Sequence, residues 1–309
     1  MKTQLWKRDL KTKEDMSRLF DELFPLCRSI LGDGYRQSLK ILEDYIPLKE
    51  EEFQTGQKVL NWTIPVEWVI REAWIKDENG NTVIDFKNHN LHVVNYSDRV
   101  DKVLTLEELK EHIYISETDE NAIPYVMSYY KRRWGFCMSK AQLECLSEGK
   151  YHVYIDSEFV DGRVVVGETK LIGESSKEIL LSSYLCHPSM ANNELSGPLA
   201  LTMLYQRITN WEKRKYTYRF LINPETIGSI AYLSAHGDEL RKHMYYGLVL
   251  TCLGGTAKWR YKTSRSENSP MDKLVRKTNG ISNEFRVEQF DPASGSDERQ
   301  YCSPGFDLP

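Results

Sequence analysis

Along the first 46 residues the apolar positions Met16, Leu19, Phe20, Leu23 and Phe24, then Leu39, Ile41 and Leu42, recur at short helical intervals. That spacing gathers them on one helix face, and Gly32-Asp33-Gly34 interrupts it, so residues 13–46 predict a helical hairpin. Between residues 55 and 95 the pattern becomes alternating and β-branched. Residues 68–75 predict a strand, Asp77-Glu78-Asn79-Gly80-Asn81 a turn, and residues 82–86 the returning strand. A short helix signal at 104–112 and an aromatic stretch at 125–136 lead into a second predicted hairpin, residues 151–170, turning at Asp161-Gly162. Residues 55–173 therefore read as one compact β-rich insert. Beyond it the segments alternate: strand 178–185, helix 195–211, strand 216–222, helix 227–243, strand 246–252. Such repeated units imply a mostly parallel sheet covered by helices on both faces.

A chain of 309 residues has ample length to bury a core, and 40% hydrophobic with 28% charged residues is an ordinary globular composition. This excludes a disordered chain or a small stapled scaffold. With 41 basic against 45 acidic side chains the net charge is −4, which suggests no nucleic-acid partner. No apolar run approaches the roughly 18 to 20 residues of a spanning helix, and the polar, mixed-charge start at residues 1–14 lacks an export signal. The expectation is a soluble cytoplasmic protein with no membrane partner. The six cysteines are scattered without a C-x-x-C pair, which predicts buried free thiols in a reducing compartment.

In sheets of this kind ligands bind beyond the carboxyl ends of the strands. After the first strand comes Cys186-His187-Pro188-Ser189-Met190-Ala191-Asn192-Asn193-Glu194-Leu195-Ser196-Gly197, the densest polar cluster in the chain. His187 could bind a divalent metal with an oxygen ligand six or seven residues on; equally, Asn192 or Asn193 could cap the next helix and His187 could be a turn residue. After the second strand comes Asn223-Pro224-Glu225-Thr226. Partial desolvation there would raise the Glu225 pKa toward that of a general base, although a glutamate in a first helical turn also complements the macrodipole. Thr251-Cys252-Leu253-Gly254-Gly255 follows the third strand, and Ser294-Gly295-Ser296-Asp297-Glu298-Arg299 could place an acid and a guanidinium on one loop, or form a solvated charged loop. The aromatic wealth at 125–134 could stack on a sugar or a base, or fill the core of the insert.

At these residues the sequence resembles the bacterial aminopeptidase-like proteins, a divergent branch of the co-catalytic zinc aminopeptidases. The resemblance covers nearly everything after Leu19. It is carried by Phe24-Pro25-Leu26-Cys27-Arg28-Ser29, Pro65-Val66-Glu67-Trp68, Asn90-Leu91-His92-Val93-Val94, Tyr129-Tyr130 with Trp134-Gly135-Phe136-Cys137, Cys186-His187-Pro188-Ser189, Pro224-Glu225-Thr226-Ile227-Gly228-Ser229 and Gly295-Ser296-Asp297-Glu298-Arg299-Gln300-Tyr301. It implies a three-layer α/β/α sandwich interrupted by a small β-rich domain. The division would be 1–54 as the helical start of the peptidase-like domain, 55–173 as the insert and 174–309 as its α/β part. It further implies that the catalytic domain continues past Pro309 to a final histidine ligand.

Position by position, the resemblance puts a zinc ligand at His187 and the bridging aspartate at Asn193, a neutral and weak ligand, with Glu194 beside it as a substitute. The paired glutamates fall on Glu225, the general base, and Thr226; the aspartate after the third strand falls on Thr251 or Cys252. The implied cofactor is zinc, as one ion rather than two. Asp297 or Glu298 would hold a free α-amino group, with Arg299 beside them. The implied activity is hydrolysis of an aminoacyl, peptide or other small amide, in polysaccharide or natural-product assembly, or deacylation of an amino sugar by the same chemistry. The alternative is a catalytically degenerate member that binds a ligand or partner. The sequence leaves open whether the protein is a homo-oligomer.

Overall fold

The computed structural model of the chain describes residues 6–308; residues 1–5 of the polar start and Pro309 lie outside the described residues. A five-stranded and a four-stranded sheet carry the fold. In the larger, the strands Lys49–Gln54, Arg163–Leu171, Tyr216–Asn223, Ser175–Tyr184 and Met244–Val249 lie side by side in that order. The last three run parallel, whereas Arg163–Leu171 is antiparallel to both its neighbours. Parallel neighbours need crossover connections. The helix Ser196–Thr209 supplies the first and Ile227–His243 the second, both close to their predicted bounds.

Successive residues of a strand point to opposite faces, so a sheet packed on both sides must be apolar on both. Leu181, Phe220, Ile222 and Val165 belong to one apolar cluster with Leu23, Leu39, Leu199 and Tyr205, from the helices Lys13–Leu23, Asp33–Leu42 and Ser196–Thr209. Leu180, Leu221, Val164 and Val166 belong to a second cluster with Ile227, Ile230, Ala231 and Leu240 of the helix Ile227–His243. The result is a three-layer α/β/α arrangement around a mixed sheet. The second cluster continues into the antiparallel sheet formed by Thr82–Asp85, Glu67–Asp77, Lys150–Val160 and Val100–Thr105, through Ile75, Val153 and Ile155.

The hairpin expected at residues 151–170 does not form. Lys150–Val160 pairs with Glu67–Asp77 and Val100–Thr105, while Arg163–Leu171 pairs with Lys49–Gln54 and Tyr216–Asn223. The chain passes from one sheet to the other at Asp161-Gly162. Alternation specifies which face of a strand is buried and leaves its partner unspecified. The burial patterns tell the two apart: Lys150–Val160 is buried at every second residue, whereas Val164, Val165 and Val166 are buried in succession, as the larger sheet requires. Gly162 makes the crossing feasible, because a β-carbon there would meet the Glu67 side chain at 2.3 to 2.5 Å. Arg36 holds that carboxylate with two hydrogen bonds of 2.8 Å.

Arg219 sits in the middle strand with no exposed surface. Its Nε donates to Glu178 at 2.6 Å, its Nη2 to Glu239 at 2.6 Å, and its Nη1 to the Tyr232 hydroxyl. A buried charge is tolerated when it is paired in this way, and breaking the pair leaves the partner stranded. Arg219→Met is expected to lower unfolding free energy by about 3 to 5 kcal/mol, read by denaturant unfolding, with Glu178→Leu added to it restoring part of the loss.

Candidate metal centre and active site

The strand Ser175–Tyr184 ends at the sheet's carboxyl edge, and Cys186 and His187 follow directly, both buried. The next turn, Ala191–Leu195, departs from helical geometry at Asn193 (φ −88°, ψ 63°) and Glu194 (φ 170°, ψ −62°). The departure brings Glu194 back to the strand end. Its Oε2 accepts the Cys186 backbone N–H at 2.6 Å, and its Oε1 contacts His187 Nδ1. Despite that contact, His187 Nδ1 and Glu194 Oε1 are buried atoms without a hydrogen bond of acceptable geometry. At Gly197 a β-carbon would lie 2.2 Å from the Leu250 carbonyl oxygen and 2.3 Å from Ser183 Oγ, so the following helix reaches the strand ends only with glycine there.

Glu225 enters from the neighbouring strand end. Thr226 after it has a left-handed backbone (φ 65°), uncommon for a β-branched residue, and the turn places Glu225 Oε2 3.6 Å from His187 Nε2. That separation is an electrostatic contact rather than a hydrogen bond. The imidazole thus spans two carboxylates. The Tyr125 ring packs on it at 4.7 Å between centroids. Arg28, wholly buried, donates from Nε to the His187 carbonyl at 3.1 Å and from Nη1 to the Leu23 carbonyl.

One nitrogen or oxygen or sulfur ligand atom from each of Cys186, His187 and Glu194 lies within 4.8 Å of the others, and all three residues are buried. Thiolate, imidazole and carboxylate are the donor types zinc takes, and the two unsatisfied atoms on His187 and Glu194 are those that would face a cation. The residues present fit the metal. Burial pushes the Cys186 thiol up to about 11, so ligation by sulfur would have to displace its proton. Burial by itself lowers the His187 pKa, but the interactions with Cys186 and with the Glu194 carboxylate outweigh it and raise it well above the ordinary imidazole value. Burial raises Glu225 as well, with the His187 charge partly offsetting it, and the Arg299 charge acts in the same offsetting direction.

The structure brings His187, Glu194 and Glu225 together. Asn193 is engaged elsewhere, since its Oδ1 accepts from the Tyr184 hydroxyl, which accepts in turn from Thr251 Oγ1 at 2.6 Å. Asp297, expected on an open loop facing an amino group, is instead wholly buried. Its oxygens accept from the Thr226 backbone N–H at 2.7 Å, Ser229 Oγ at 3.1 Å and Asn223 Nδ2 at 2.8 Å, which pins the strained turn carrying Glu225. Glu298 accepts the Ser296 backbone N–H at 2.9 Å, and Arg299 bonds the Ser296 and Pro292 carbonyls at 3.3 and 3.4 Å. The sequence marks Cys186 and Arg28 within motifs and Tyr125 within an aromatic stretch, but it assigns none of them to this site; the place of Cys186 beside His187 is a usable signal, whereas the contacts of Arg28 and Tyr125 come only from tertiary packing. All six cysteines are free, but Cys145 and Cys252 are exposed rather than buried.

The fold is that of the zinc aminopeptidases. The solved structure of a zinc aminopeptidase from Bacillus subtilis matches with TM-score 0.64 at 11% identity, over 97% of this chain and 84% of that one. A peptidase M28 precursor from Shewanella amazonensis matches with TM-score 0.59 at 13% identity, over 91% and 79%. Residues 17–309 match the family model described as a domain of unknown function, DUF4910, and the chain belongs to that family. A Clostridium acetobutylicum protein named as a polysaccharide biosynthesis protein with an aminopeptidase-like domain is 43% identical over 300 residues, which is 97% of this chain and 68% of that protein. The crystal structure of a Clostridium acetobutylicum protein described as a peptidase superposes with TM-score 0.91 at 43% identity, covering 96% of this chain and 69% of that one. Among the described residues no helix is long and apolar enough to cross a membrane.

Burial raises Asp297 from an ordinary 3.8 to about 7. The folded protein therefore holds this proton more tightly than the unfolded chain, so the contribution to stability is complete below the unfolded value and is lost as pH rises toward 7. Measured by denaturant unfolding between pH 4 and 7, the wild type is expected to lose stability relative to Asp297→Asn, by at most about 1.4 kcal/mol per pH unit.

Proposed function

We propose that the protein is a metal-dependent amide hydrolase, with one zinc held by His187 and Glu194, assisted by Cys186, and with Glu225 as general base. The observation that carries this reading is the His187 imidazole set between the buried Glu194 carboxylate and Glu225 at the carboxyl edge of the sheet. Two features support one ion. Asn193 and Thr251 are hydrogen-bonded through the Tyr184 hydroxyl, and Thr226 carries no carboxylate. When bound, the metal would polarise the amide carbonyl and lower the pKa of water toward about 7.

Glu225 takes a proton from the attacking water, the water oxygen bonds to the carbonyl carbon, the carbon–nitrogen bond breaks, and the proton passes from Glu225 to the departing amine. The raised proton affinity of Glu225 suits it to hold that proton between the two steps. Arg299, whose charge reaches Glu225, favours the return to the ionised base. The substrate is an aminoacyl or other small amide, and the name of the Clostridium acetobutylicum relative supports a place in polysaccharide assembly. The free thiols support a reducing, cytoplasmic setting.

The non-ligating residues Asn193, Thr226 and Thr251 also support a second reading, a member that keeps the fold and binds a ligand without turnover. Metal analysis and kinetics separate the two. Purified protein is expected to carry about one zinc per chain, His187→Ala to lose it, and Glu225→Gln to keep it while amide hydrolysis falls roughly 10²- to 10⁴-fold. Stoichiometric zinc with undiminished turnover in Glu225→Gln would remove that residue from its role; protein that takes up no zinc would favour the binding reading.

A further inference from the structure

A row of aromatic side chains runs from the metal centre to the surface. Tyr125 packs on His187, its hydroxyl bonds the Tyr129 hydroxyl at 2.6 Å, and the Tyr129 and Tyr130 rings lie 6.4 Å apart. Tyr130 then meets Trp62 edge to face at 5.4 Å. The inner rings are held: Tyr129 packs against the buried Tyr96 at 5.0 Å. The outer ring is open, with Tyr130 62% exposed. It nonetheless joins the site through an unbroken series of contacts, from His187 to Tyr125, from Tyr125 to Tyr129 and from Tyr129 to Tyr130.

We propose that the exposed face of Tyr130, bounded by Trp62, is a stacking subsite for a sugar ring attached to the amide that this protein cleaves. The inference rests on the hydrolase reading above and supplies its substrate class. A pyranose has one face of C–H groups, which packs against an aromatic π-face, and a rim of hydroxyls that must keep polar partners. Tyr130 offers the first. The exposed neighbours Lys131 and Arg132 offer the second, Arg132 already anchored by Asp98 at 2.5 Å. A protein partner fits less well: one exposed ring is far below the roughly 800 Å² per side that a stable protein interface buries.

The test uses the 309-residue chain with an N-acetylglucosamine trimer and maltotriose as probes, read by tryptophan fluorescence and saturation-transfer NMR. At least one probe is expected to bind, Tyr130→Ala to weaken it at least tenfold, and Tyr130→Phe, which keeps the ring, to retain it. Melting temperature and zinc content should stay at wild-type values in both variants, and Glu225→Gln should bind as the wild type does. Binding of neither probe, or equal binding by Tyr130→Ala, would overturn the subsite. So would a dimer in sedimentation that Tyr130→Ala dissociates, since the face would then belong to a second copy. Sugar binding without hydrolysis of any amide would instead defeat the hydrolase reading and leave the subsite standing.

Discussion

The sheet at the centre of this molecule is buried on both faces, and the rest of the structure follows from that constraint. Strands covered by helices on each side can offer polar groups to a ligand only at their ends, while a polar group within them, such as Arg219, must be paired internally. Groups delivered there are desolvated and must satisfy one another. Cys186, His187, Glu194, Arg28 and Asp297 are all buried, and each is tied to another strand end or to a neighbouring turn. The perturbed proton affinities of Glu225 and Asp297 share this origin, burial being the largest cause in both. Perturbation of this kind, concentrated in one crevice, is what separates a chemical site from a set of ordinary surface charges.

Much of this organisation could be read from the sequence, because burial on two faces leaves a periodicity. The helix Ile227–His243 and the strand Tyr216–Asn223 lie where apolar spacing put them, and His187 and Glu225 could be singled out because polar residues directly follow apolar strands. The misread hairpin came from the same periodicity: it marks a strand but not the strand beside it, and Arg163–Leu171 belongs to a different sheet from Lys150–Val160. The burial of Asp297 escapes the sequence for a related reason. A charged loop in a sequence looks solvated, and only the fold shows three donors converging on one carboxylate.

The likeness to zinc aminopeptidases at 11 to 13% identity is one of fold, and the donor set has its own character. Where the resemblance places further metal ligands, this chain has the sequence of neutral hydrogen bonds from Thr251 through Tyr184 to Asn193. Such a chain holds the strand ends together without the mutual repulsion of several carboxylates in a crevice of low polarity.

The site is also completed by segments far from it in sequence. Arg28 arrives on the loop after the first helix and holds the His187 carbonyl, while Asn95 donates to the Arg28 carbonyl at 3.0 Å. Asn90 donates to the Pro25 carbonyl at 2.7 Å and to Ser189 Oγ at 3.2 Å, and Ser189 in turn donates to the Phe24 carbonyl at 3.3 Å. The loop at residues 24–28, the segment at residues 90–95 and the strand-end loop at residues 187–189 are thus mutually hydrogen-bonded. The β-rich region therefore does more than hang beside the larger sheet, since it fixes the backbone of the proposed metal ligand on one side and covers its imidazole with Tyr125 on the other. A change in that region can reach His187 through two or three hydrogen bonds, so the same contacts that hold the sheets together also set the geometry of the site.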